Sequence, residues 1–63
     1  MKGKKFKVSG FRGTYKVTQI YPQGFLAEAK SDTGGTISLT KNKSSGRWLA
    51  TKGTKNYGAV RWQ

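Results

Sequence analysis

The chemistry open to this chain is that of aromatic rings and fixed cations. In RWLATKGTKNYGAVRW, Arg47 to Trp62, rings, basic heads and small residues are interleaved. A ring offers a π-face on which a planar group stacks, and Lys and Arg heads pair with anions. Catalytic parts are missing. The sequence has no histidine and no cysteine, and sets two carboxylates, Glu28 and Asp32, against thirteen Lys and Arg. A Ser or Thr nucleophile would lack a base, and a lysine base would need desolvation that so small a surface does not provide. A glycosidase pair would have to be Glu28 and Asp32, and Asp32 is taken up by a hairpin turn. Disulfides, zinc sites and calcium sites also lack their ligands. The expectation is a protein that is not an enzyme and uses no metal and no cofactor.

The net charge of +11 works against compaction and calls for an anionic partner: nucleic acid, an acidic protein face, anionic lipid or a polyanionic glycan. Sixty-three residues make one domain, 1–63, because so short a chain buries too little surface for two cores. The start MKGKKFKVSGFRG is basic but lacks the apolar stretch of a signal peptide, and no apolar run is long enough to cross a bilayer. We expect a cytoplasmic or nucleoid-associated protein without a membrane partner.

Short stretches rich in Thr, Val, Ile and aromatics, punctuated by glycine and without helical periodicity, predict an all-β chain. Strands are expected over 4–9, 14–21, 25–31, 35–41, 47–52 and 57–62. The expected fold is a small antiparallel barrel of five or six strands, SH3-like, with an OB-like barrel as the alternative. In FLAEAKSDTGGTISLT, a three-residue loop Asp32-Thr33-Gly34 pairs Ala29 with Ile37 and Ala27 with Leu39 on one face. Lys30 then lies opposite Thr36, and Glu28 opposite Ser38, on the other. YPQG is a tight turn. Val17 and Ile20 differ in parity, so either a bulge intervenes or one of them is exposed. KNKSSG is a polar linker.

The expected core is Phe6, Val8, Val17, Phe25, Ala27, Ala29, Ile37, Leu39, Leu49, Val60 and Trp62. A core this thin supplies no more than ~3–5 kcal/mol, which leaves room for stabilisation by a partner or by a homo-oligomer.

The same register test, applied to Arg47–Trp62, takes Gly53-Thr54-Lys55-Asn56 as a four-residue loop. It pairs Lys52 with Tyr57, Ala50 with Ala59 and Trp48 with Arg61. Leu49, Val60 and Trp62 then point inward, while Trp48, Tyr57, Lys52 and Arg61 face outward around two alanines. That outer face is a platform for base stacking ringed by cations. KNYGAVRW, Lys55 to Trp62, resembles the RNP1 octapeptide of RNA-recognition motifs. The resemblance implies that Tyr57 faces nucleic acid and that Val60 and Trp62 point inward. Asn56 and Ala59 depart from the pattern, and the match covers only eight residues. It is read as convergence on one surface chemistry.

GFRG, Gly10 to Gly13, fits the GXXG of KH domains, but its flanks alternate as strands, so it is read as a hairpin loop. Its tip presents Phe11 and Arg12 as secondary contacts. Lys55, Lys41 and Lys43 add phosphate contacts, and the lysines at 2, 4, 5 and 7 are read as a solvated run able to join that field. The expected function is nucleic-acid binding, to DNA or RNA, by phosphate contact and stacking with weak sequence preference. The alternative is a small viral or accessory factor that docks its cationic aromatic face on an acidic protein.

Overall fold

A computed structural model describes residues 1–63. It contains seven strands and no helix: β1 (Lys5–Lys7), β2 (Tyr15–Ile20), β3 (Leu26–Ser31), β4 (Thr36–Lys41), β5 (Trp48–Lys52), β6 (Lys55–Ala59) and β7 (Arg61–Trp62). The strands form one antiparallel sheet in the order β6-β5-β4-β3-β2-β1-β7, bent into a nearly closed barrel. Closure comes from the chain itself. The last expected strand, 57–62, divides at Val60. Upstream of that residue the chain pairs with β5, and downstream it crosses to β1, matching Phe6 with Trp62 and Lys7 with Arg61.

The β3–β4 hairpin has the expected register, with Ala27 opposite Leu39, Ala29 opposite Ile37 and Lys30 opposite Thr36. Its turn contains Gly34 at φ 97°, a left-handed conformation that glycine adopts without steric cost. Ser31 accepts the Gly34 N–H at 3.1 Å and donates its own N–H to Gly35 at 2.7 Å. These alternating small and branched residues form the inner wall.

In β2 the parity conflict is resolved by a bulge between Val17 and Gln19, which brings Ile20 opposite Ala27 on the inward side. At the strand end Ile20 still remains 37% exposed. The β1–β2 loop is pinned to the β3–β4 turn: Thr14 N–H donates to the Asp32 carboxylate at 3.3 Å, and Asp32 N–H donates to the Thr14 carbonyl at 3.0 Å. Gly13 is required there on two counts. Its φ is 82°, and any side chain would run into the Asp32 carboxylate.

The core is Phe6, Val8, Tyr15, Val17, Ala27, Ala29, Ile37, Leu39, Trp48, Ala50 and Val60. Tyr15 joins it because Phe6 stacks on one side, at 5.6 Å between centroids, while Phe11 meets it edge-on at 6.2 Å. Phe25, expected inside, is 37% exposed; it sits beyond the start of β3, with the Lys43 ammonium 4.8 Å from its ring centroid. Leu49 is only partly buried, and Trp62 packs half-buried against the core, edge-on to Phe6 at 5.4 Å.

Candidate functional site

The terminal ribbon does not carry the expected platform. Its turn has two residues, Gly53 and Thr54, with Lys52 opposite Lys55, instead of the four-residue loop Gly53–Asn56. Gly53 has φ 62°, as the first central position of a type II′ hairpin requires. Thr51 then faces Asn56, and after a register shift Leu49 faces Ala59. Two β5 steps are matched by three on β6, and Gly58 at φ 87° absorbs the extra residue.

The inward face of β5 is fixed by its other neighbour. Leu39, fully buried, lies opposite Ala50, and Lys41 lies opposite Trp48. Ala50 and Trp48 must therefore share the core side with Leu39. Trp48 is 9% exposed, and its carbonyl accepts the Val60 N–H at 3.1 Å. The expectation that Trp48 stacks outward is overturned, together with the pairings Trp48–Arg61, Ala50–Ala59 and Lys52–Tyr57.

Tyr57 is half-buried, and its ring meets Phe11 edge-on at 4.6 Å. Phe11 is thereby held against the barrel rather than presented as a free wedge, while Arg12 beside it is exposed. Val60 and Trp62 do point inward, as the local resemblance implied. Lys52, Lys55 and Arg61 are exposed. Lys43 lies over Phe25, and half-buried Lys41 places its ammonium 6.0 Å from the Trp48 ring centroid. The expected contacts are thus divided between the two ends of the barrel, Lys41 and Lys43 at the Trp48 end of β5 and Lys52 and Lys55 at the other, rather than collected on one flat face.

What the fold does collect is a row of lysines. Lys5 on β1 lies opposite Lys16 on β2, and Lys16 lies opposite Lys30 on β3. All three are exposed. Adjacent strands stand ~4.8 Å apart, so the row spans ~10 Å across the sheet. Lys7, two residues from Lys5 and hence on the same face, faces Arg61 of β7. Five cations share one side of the barrel, three pairs of them directly opposite across strands.

Like charges in such positions repel. Neutralising carboxylates are scarce: Glu28 accepts the Tyr21 hydroxyl proton, and Asp32 accepts the Thr14 N–H. The hydrogen bond to Glu28, with lesser contributions from desolvation and from the carboxylate charge, raises the Tyr21 pKa above its ordinary value of 10.0.

The lysine row borders an open groove of about 480 Å³ lined by Lys5, Thr14, Lys16, Thr18, Lys30, Ser31, Asp32 and Gln63, with no hydrophobic residue among them. Ammonium groups and hydroxyls around an open polar groove are donors suited to a chain of phosphates; the Asp32 carboxylate opposes such a ligand. Alternation in the sequence places Lys5, Lys16 and Lys30 outward. It does not align them, because alignment needs the β1–β2 and β2–β3 registers, and the second of these contains the bulge.

Comparison with protein-family models, with curated proteins and with solved structures gives no match.

Proposed function

We propose that this protein is a non-catalytic nucleic-acid-binding module that holds the phosphate backbone along the Lys5–Lys16–Lys30 row. The observation that carries this reading is the alignment of three lysines across three strands beside a groove of hydroxyls, one amide and the single carboxylate of Asp32. Each lysine that neutralises a phosphate releases counterions, so affinity falls steeply with salt. Sequence preference is weak, since backbone contacts position a ligand without reading its bases. Lys7 and Arg61 extend the row, while Lys52, Lys55, Lys43 and Arg12 supply the surrounding field.

The barrel type that goes with this reading is SH3-like. Support comes from strands that follow one another as a meander until the last returns to the first, whereas an OB fold is a Greek-key barrel.

The test is a salt titration of binding to mixed-sequence oligonucleotides. A linear fall of log K against log salt with a slope of about −2 to −5 is expected for three to five neutralised phosphates. Absence of binding at low salt, or binding indifferent to salt, refutes the proposal. A second reading, docking on an acidic protein, is favoured by the apolar corner of Ile20, Phe25 and Leu26, with Lys43 above the Phe25 ring. One-to-one capture of a protein that polyanions fail to displace would decide for it.

A further inference from the structure

A second hollow lies at the seam where β6 passes into β7. Gly46, Arg47, Trp48, Ala59, Val60 and Trp62 line a cleft of about 300 Å³. Both tryptophans of the chain meet in it. We propose that this cleft receives one unstacked base of a single-stranded nucleic acid whose phosphates lie on the lysine row, an inference that rests on the nucleic-acid reading above.

Size, chemistry and position together favour that occupant. The volume is at the small end for ligand pockets, so it admits one flat ring system rather than a strand or a helix. The lining joins indole surface to a small exposed residue, Ala59, and to a glycine, which leaves space beside Trp62. The surroundings are cationic. Arg47 belongs to the lining, the Lys4 ammonium stands 5.0 Å from the Trp62 ring centroid, and the Lys41 ammonium stands 6.0 Å from that of Trp48. An acidic or neutral apolar guest uses only part of this; a base attached to phosphate uses both the rings and the charges.

Cleft and lysine groove are also continuous through the chain. Trp62 lines the first and its neighbour Gln63 lines the second, so the two adjoin at the end of the short strand β7. A backbone resting on Lys5 and Lys16 has its bases within reach of that edge. In a duplex those bases are paired and stacked, and entry would require one to be extruded. The cleft therefore converts general polyanion binding into a preference for single strands, DNA and RNA alike.

Intrinsic fluorescence reads the site directly, since every indole in the protein lines it. Oligothymidylate and a mixed-sequence single strand are expected to quench the emission, and the same mixed sequence as a duplex is expected to bind with little quenching. Trp62→Ala should lower single-strand affinity about ten- to a hundredfold, the range for loss of one stacking partner, and leave duplex affinity unchanged. Trp62→Phe, which retains a ring, should recover most of the loss. If Trp62→Ala does not fold, Ala59→Leu fills the cleft from its exposed side and should produce the same selective loss. Equal quenching by duplex and single strand, or equal weakening of both by these variants, overturns the cleft assignment and leaves the lysine row standing. Failure of every oligonucleotide to bind overturns both.

Discussion

The outside of this barrel has two unlike sides built on one sheet. Across β1, β2 and β3 the outward row is Lys5, Lys16 and Lys30, whereas across β3, β4, β5 and β6 it is Glu28, Ser38, Thr51 and Asn56. The next row on that second side is Leu26, Thr40, Leu49 and Ala59. Both sides meet the same solvent and cover the same core. An outward row without lysine is evidently compatible with the fold, so the barrel does not require aligned lysines. On the second side, facing cations occur only at the β5–β6 turn, where Lys52 lies opposite Lys55, whereas on the first they run across three strands; that asymmetry singles out the lysine row.

The largest expected effect falls on the support common to both sides. Trp48→Ala should cost ~3–5 kcal/mol, enough to unfold a domain with so small a core, and thermal or denaturant unfolding would register it. A folded, fully stable Trp48→Ala protein would mean that the indole is not part of the core and would revive the outward platform.

Next comes the contrast itself. Replacing Lys5, Lys16 and Lys30 by Gln should flatten the salt slope of nucleic-acid binding by about 2 to 3, with affinity lost at low salt. Replacing Ser38, Thr51 and Asn56 by Ala on the other side should leave both slope and affinity unchanged. Equal effects from the two triple variants would abolish the distinction between the sides.

A smaller effect of opposite sign is expected on stability. Lys16 faces a lysine on each flank, so Lys16→Gln alone should stabilise the free protein by about 0.5–1 kcal/mol at low salt, and the gain should shrink as salt is added. Destabilisation by this change would show that the ammonium serves the fold rather than a ligand.

The smallest concerns the Tyr21–Glu28 contact at the margin of the second side. Because the folded protein raises the Tyr21 pKa, the contact stabilises fully below the ordinary tyrosine value of 10.0, and that contribution is lost as pH rises through the raised value. Tyr21→Phe should remove a phenol titrating above that value, and should make stability less sensitive to strongly alkaline pH. Ultraviolet titration and denaturant unfolding at alkaline pH measure the two.

The β3–β4 hairpin was legible from local residues because turn length, the left-handed glycine and alternation from Ala27 to Leu39 all favour one register. The β5–β6 ribbon misled for a definable reason. Gly53-Thr54 is itself a sufficient two-residue turn, and Gly58 adds a residue that changes parity before Ala59. A hairpin considered alone also cannot say which of its faces is inside. That choice was made by β4, through Leu39 opposite Ala50. Of the expected contacts, the exposure of Lys52, Lys55, Arg61 and Arg12 was readable from charge alone. The burial of Trp48 and the mutual packing of Phe11 and Tyr57 depend on partners distant in the chain.

The amino-acid sequence by itself determined an all-β chain, a strongly cationic surface and one hairpin in full, since these follow from composition, turn residues and period-two alternation. Only the tertiary structure decided which lysines stand in line, which indole lies inside and where both indoles meet. Those outcomes depend on pairing between strands far apart in the chain. A single bulged residue is enough to reverse the facing of every side chain beyond it.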